Sequence, residues 1–185
     1  VDLPLLKRMK EGGCWQIAFG LESGSQKILD EMKKGTTVEG NRIAVEWAHK
    51  AGINVRGFFM FGMPSETKET IKETIKFALS VPVDVASFYA ITMYPGNELY
   101  EQIKAEGKLL HEDYSQYNPI MDKDKQVFAY VPPALTAQDL KNAVSTAYKL
   151  FYFRPAYIIK QLFKMSSLED VKRNIRGVRA VLAIS

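Results

Sequence analysis

A parallel α/β fold follows from three features of this 185-residue sequence. Short, almost wholly apolar runs recur three times along the first half of the chain, and glycine or proline closes each of them. A stretch with apolar residues at helical spacing follows every run. Strands of this kind, alternating with amphipathic helices, indicate a parallel sheet covered by helices. Both a segment of a β/α barrel and an open doubly wound sheet satisfy the pattern, and the residues alone leave the choice open.

Taken in order, residues 3–11 read as the end of a helix carrying Leu3, Leu5, Leu6 and Met9, stopped at Gly12-Gly13. Residues 14–21, CWQIAFGL, form the first buried strand. Ser23 and Gln26 make an S-x-x-Q capping box that opens a helix over roughly 24–34, and Gly35 ends it. Thr36 and Glu39 repeat the box, starting a helix with Ile43, Ala44, Trp47, Ala48 and Ala51 on one face before Gly52. The second strand is residues 53–61, followed by the Gly62-Met63-Pro64 turn, Ser65 as N-cap and a helix over 66–80. The third strand is 83–93, then the Tyr94-Pro95-Gly96 turn and a helix from Asn97 to Gly107.

Beyond residue 107 the character changes, which divides the chain into 1–107 and a connecting loop with a helical extension, 108–185. Residues 108–135 are polar and aromatic, an excursion and not another β/α unit. Thr136 to Tyr152 has Leu140, Ala143, Val144, Ala147 and Phe151 on one side of a helix. Arg154-Pro155 starts another through Lys164, and a Ser166–Glu169 box opens the last. The tail from Lys149 is both basic and apolar. The leading expectation is that it packs on its own domain with its charges solvated, and peripheral membrane contact ranks below that.

Composition narrows the function classes. No apolar run approaches the roughly 20 residues of a membrane-spanning helix, and no secretory signal opens the sequence. One cysteine, Cys14, excludes an internal disulfide framework and any multi-cysteine metal or iron–sulfur site built by this chain alone. It also favours a reducing, cytoplasmic setting. With only His49 and His111 for imidazole, a zinc site is not expected. A net charge of +4 suits an anionic ligand but is no nucleic-acid-binding stripe. No P-loop, G-x-S-x-G or H-E-x-x-H is present. The first helix has no strand before it, so the sheet is expected to continue upstream of residue 1, with an exposed edge in this segment alone.

Ligands of parallel sheets bind at the carboxyl ends of the strands, where residues 20–25, 62–66 and 94–97 gather. Glu22 there can accept two hydrogen bonds from a ribose diol, or simply face the positive start of the next helix; spacing divides these evenly. Lys34 can meet a ligand carboxylate, although complementing a helix C-terminus is the better reading of it alone. For Glu66 the helix-dipole role is preferred two to one, and Met60 and Phe61 read first as core and second as a flat apolar surface for an adenine. Glu22 and Glu66 as the acid and base of another barrel enzyme rank last.

The strings GLESGSQKILDEMKKGTT (20–37), GFFMFGMPSET (57–67) and SFYAITMYPGNELYEQI (87–103) resemble the radical S-adenosylmethionine superfamily. The branch most similar carries an upstream cobalamin-binding domain and includes anaerobic magnesium-protoporphyrin monomethyl ester oxidative cyclases; the tail over 148–162 is similar to that branch too. The resemblance implies the C-terminal half of a partial (β/α)6 TIM-like barrel, its fourth to sixth strands at 14–22, 53–61 and 84–93, plus a helical extension. It implies S-adenosylmethionine as cofactor, with Glu22 on the ribose beside Ser23, Lys34 toward the methionyl carboxylate, and Met60 and Ala90 at the adenine. Gly57, Gly62 and Glu66 match the fifth-strand glycine-rich motif, whereas Phe58 stands where some relatives carry a ribose-binding Asp.

The C-x-x-x-C-x-x-C loop that binds the family's [4Fe–4S] cluster is absent, so its ligands are expected outside this segment, and Cys14, at the opposite strand end, reads as a structural thiol. Cobalamin is an expectation for the longer parent, as are methyl transfer or oxidative ring closure on a small molecule, tetrapyrrole or lipid-like. The partner of this segment is then the remainder of its own chain. A non-catalytic α/β module with a basic helical tail is the alternative.

Overall fold

A computed structural model of the protein describes residues 1–113, 128–165 and 167–184. Three parallel strands, β1 (Gln16–Glu22), β2 (Asn54–Phe61) and β3 (Val85–Ala90), lie side by side in chain order. Ala18 stands beside Arg56 and Arg56 beside Val85, so all carboxyl ends reach one rim of the sheet. The helices are α1 (Leu3–Glu11), α2 (Gln26–Glu31), α3 (Val38–Lys50), α4 (Lys68–Ser80), α5 (Glu98–Ala105), α6 (Ala137–Tyr152), α7 (Pro155–Lys164) and α8 (Leu168–Ile184).

Although β2 and β3 are almost continuously apolar, their burial alternates. Val55, Phe59, Phe61, Ala86 and Phe88 are buried in one core with Val45 and Ala48 of α3, Ile71, Ile75 and Ala78 of α4, and Val144, Ala147 and Phe151 of α6. Phe59 stacks on Phe88 with ring centres 5.1 Å apart. On the other face Phe58, Met60, Ser87 and Tyr89 are half-buried and Arg56 is exposed. Among the described residues this face carries less cover than the other, a difference that an apolar run by itself cannot reveal.

Helix α6 lies along β3 and meets its edge. The Tyr152 hydroxyl accepts from the Ala86 N–H and donates to the Ala86 carbonyl, and the Tyr148 hydroxyl accepts from the Phe88 N–H. Below, the Asp84 carboxylate accepts from the Val55 N–H at 2.9 Å and from Lys160 of α7 at 2.7 Å. Arg154 sits 4.1 Å over the Phe151 ring and donates to the Leu79 and Val83 carbonyls. A smaller cluster of Met93, Tyr100, Ile103, Ala129 and Tyr130 anchors α5.

Three helix starts differ from the sequence reading. The cap of α2 is Ser25, without a side-chain bond, because the Ser23 hydroxyl is engaged elsewhere. Thr37, not Thr36, caps α3 through the Gly40 N–H. Thr67, not Ser65, caps α4 in a reciprocal box with Thr70. In each case the chain offers several oxygen-bearing side chains in a row, and packing selects the one used. The Ser166–Glu169 box involves a residue outside the described ones, and a reciprocal pairing of Ser167 with Asp170 is found next to it. The excursion over 108–135 lies half outside the described residues.

Candidate cofactor site

The site begins with a break in β1. The register with β2 shifts between Gly20 and Glu22, and Glu22 takes a left-handed conformation with φ of 59°. Such a conformation is costly for a residue with a Cβ, so the surroundings must hold it. The Leu21 carbonyl accepts from the Ser23 N–H at 2.8 Å and from the Asn41 side chain at 3.1 Å. Ser23 is fully buried; its hydroxyl bonds to Thr74 of α4 at 2.8 Å and accepts from the Ser25 N–H. Gly24 lets this loop lie directly on α4, where a Cβ would come within 2.5 Å of the Phe77 Cβ and 2.6 Å of the Glu73 carbonyl oxygen.

The bulge turns the Glu22 carboxylate toward a cavity of about 380 Å³ at the carboxyl rim. Its Oε1 accepts from Lys34 Nζ at 2.8 Å, with the Glu22 side chain only 14% exposed and that of Lys34 38% exposed. Glu22, Lys34 and Met60 line the cavity together with Met63, Ile91 and Leu99. Lys33 pairs with Glu98 on the same lining.

Ser23, Gly62, Glu66 and Ala90, singled out in the sequence, do not line this cavity, and neither do Gly57 and Phe61. Ser23 lies beneath it. Ala90 ends β3 beside Phe61 with its side chain buried, and the next residue, Ile91, donates to the Phe61 carbonyl at 2.7 Å. Gly62 has φ of 109°, and a Cβ on it would stand 2.9 Å from Ile91 Cγ2. Its N–H donates to the Glu66 carboxylate at 3.2 Å, whose other oxygen accepts from the Thr70 hydroxyl. Glu66 is fully buried. Burial pushes its carboxyl up, against the downward pull of the bonds from Thr70, Gly62 and Met63. It therefore fastens the turn after β2, and an acid–base pairing of Glu22 with Glu66 across the cavity is not what the structure shows.

Glu31 and Asn41 were not legible as site residues. Glu31 lines the cavity and accepts from the Ser65 N–H at 3.2 Å and from its hydroxyl at 2.7 Å, tying α2 to the turn after β2. Thr70 and Thr74, one turn apart and buried on an otherwise apolar face of α4, were the available signal for a polar ladder under the site. Cys14 lies ahead of β1, at the end remote from Glu22, half-buried with its thiol 3.5 Å from the Gln16 carbonyl oxygen.

A carboxylate, an ammonium group and a thioether-lined wall around a nucleoside-sized cavity fit S-adenosylmethionine. They do not fit an iron–sulfur cluster. The chain has one cysteine, and among the described residues no three His, Cys, Asp or Glu groups converge on a metal position.

The sequence profile of the Radical SAM superfamily matches residues 1–78. This chain belongs to the radical S-adenosylmethionine superfamily. It is 37% identical to the uncharacterized methyltransferase PH0819 of Pyrococcus horikoshii, over 95% of this chain and 37% of that protein. It is 33% identical to the anaerobic magnesium-protoporphyrin IX monomethyl ester cyclase of Cereibacter sphaeroides, over 84% of this chain and 24% of the cyclase. The radical S-adenosylmethionine methyltransferase TsrM of Kitasatospora setae, solved with cobalamin and a [4Fe–4S] cluster bound, shares the fold with a TM-score of 0.63 at 18% identity, over 84% of this chain and 35% of TsrM. The chain thus spans about a quarter to two fifths of these relatives. Its three-stranded sheet is a part of the radical SAM barrel, and the cofactors of the superfamily are S-adenosylmethionine and a [4Fe–4S] cluster.

Proposed function

We propose that this chain is the nucleoside-holding half of a radical S-adenosylmethionine barrel within a longer enzyme that transfers a methyl group or closes a ring oxidatively. The observation that carries the reading is the Glu22 bulge: a strained residue at a strand end, held from beneath by Asn41 and Ser23, with its carboxylate on Lys34 at the cavity. Strain retained by surrounding bonds is a mark of a functional position.

Glu22 accepts from the ribose diol. Lys34 orients the Glu22 carboxylate and draws in the methionyl carboxylate. Met60 gives the adenine an apolar wall, and the backbone around Ala90 meets its edge. Gly62 and Glu66 hold the turn that bounds this wall, and Ser23 fixes the height of Glu22. When bound, S-adenosylmethionine supplies the methyl or radical chemistry, while these residues bind, orient and exclude water. The cluster ligands, and cobalamin if the longer protein resembles TsrM in this respect, belong to the rest of the polypeptide. The substrate is a small molecule, with a tetrapyrrole the class suggested by the cyclase relative. The setting is cytoplasmic, in keeping with the lone thiol.

Titration of the complete, cluster-loaded polypeptide with S-adenosylmethionine tests this. Glu22→Gln and Lys34→Met are each expected to weaken binding tenfold or more without lowering the melting temperature; unchanged affinity in both overturns the reading. This chain by itself is expected to bind the cofactor weakly and not to cleave it, and calorimetry showing tight binding would contradict that.

A further inference from the structure

The last two helices carry a surface that the cofactor site does not use. Exposed large apolar side chains concentrate there: Ile158 (42%), Ile159 (53%), Leu162 (57%) and Phe163 (88%) on α7, and Val171, Ile175, Val178 and Leu182 on α8. The α8 residues are spaced by four, three and four, which places them in one stripe along the helix. Lys172, Arg176 and Arg179 repeat with the spacing four and three beside that stripe. A groove of about 350 Å³ runs between the helices, lined by Ile158, Leu162, Met165, Val178 and Val181 with few polar groups. The packing of the tail expected from sequence is therefore only partial: Val181 is buried, while the stripe and most of α7 are not.

Charge selects the occupant. Residues 149–185 contain eight Lys or Arg and two acids, although the whole chain is only +4, so the first 148 residues are net negative. All the excess positive charge lies on the segment that carries the exposed apolar stripe. A nucleic acid would leave Ile159, Leu162, Phe163 and Ile175 exposed to water. A purely apolar protein surface would leave the cations without counter-charge. An anionic bilayer surface satisfies both, with the basic row at the headgroups and the stripe and groove at the acyl boundary. Among the described residues no helix is long and apolar enough to cross a membrane, so the helices lie on the surface.

We propose that α7 and α8 form a docking surface for an anionic lipid bilayer, placing the enzyme next to a membrane. The complete polypeptide is to be sedimented with vesicles of pure phosphatidylcholine and of equimolar phosphatidylcholine and phosphatidylglycerol. The expected result is at least tenfold stronger partition onto the anionic vesicles, reduced by salt. Arg176→Glu with Arg179→Glu should lower it tenfold or more, and Leu162→Ser with Ile175→Ser, both on exposed positions, should lower it with the melting temperature unchanged. Absence of a vesicle-bound fraction overturns the proposal and assigns the stripe to the rest of the polypeptide or to a second copy. Equal partition onto both vesicles, or binding that survives the serine pair, overturns it as well. Because no residue of this surface lines the cofactor cavity, cofactor affinity and vesicle binding report on the two proposals separately.

Discussion

The Tyr152 hydroxyl closes the edge of β3 at Ala86, donating to its carbonyl at 2.7 Å and accepting from its N–H at 3.2 Å. A side chain thereby occupies backbone positions where a further strand would otherwise pair. Burial pushes the phenol far above its ordinary value of 10.0, so it stays protonated and able to donate at any working pH.

Removing that hydroxyl leaves both Ala86 groups without their partner. Tyr152→Phe is expected to lower the unfolding free energy by about 1–3 kcal/mol, read from urea denaturation at neutral pH. A change below a few tenths would mean that water replaces the phenol at this edge.

Glu66 gives a pH-dependent contribution. Its carboxyl is raised above the ordinary 4.5, chiefly by burial, so the folded state holds the proton more tightly than the unfolded one. Its contribution is most favourable below 4.5 and is lost as the pH rises through the folded-state value. Glu66→Gln removes the titration and keeps an acceptor for the Gly62 N–H. The stability of the parent relative to this variant should therefore fall as the pH rises above 4.5. A flat or rising difference in urea titrations would show that the bonds from Thr70 and Gly62 outweigh burial.

Asp139 has the opposite sign. Its ion pair with Lys68 and its bonds from Thr136 hold it down at about 2, below its ordinary 3.8. The stabilisation is complete above 3.8 and is lost as the pH falls toward about 2. Asp139→Asn should abolish that acid-side dependence of α6, followed by circular dichroism during thermal melts across the acid range.

The Glu22 bulge separates stability from binding. Glu22→Gly relieves the left-handed strain and loses an ion pair whose lysine stays open to water, so the unfolding free energy should stay within about 1 kcal/mol of the parent. Cofactor affinity should nonetheless fall at least tenfold. A large loss of stability would mean that the carboxylate is mainly structural.

Much of this protein was determined by local sequence. The alternation of apolar runs with amphipathic segments set three parallel strands and the helices after them, because burial on a sheet and on a helix face each demand their own spacing. Glu22 was placed at the carboxyl rim for the same reason: a strand's end is fixed by where its apolar run stops, whereas Lys34 and Met60 read from the residues alone as a helix-end cation and a core side chain. Tertiary contacts decided what spacing cannot encode. Which of several hydroxyls caps a helix, that Ser23 and Glu66 turn inward to hold loops, that Asn41 and Glu31 brace the bulge and turn, and that Tyr148 and Tyr152 close a strand some sixty residues earlier all depend on partners distant in the chain. Periodicity also could not tell that the α8 stripe would face outward: a spacing that buries a helix against its own domain is the same spacing that leaves it ready for another surface.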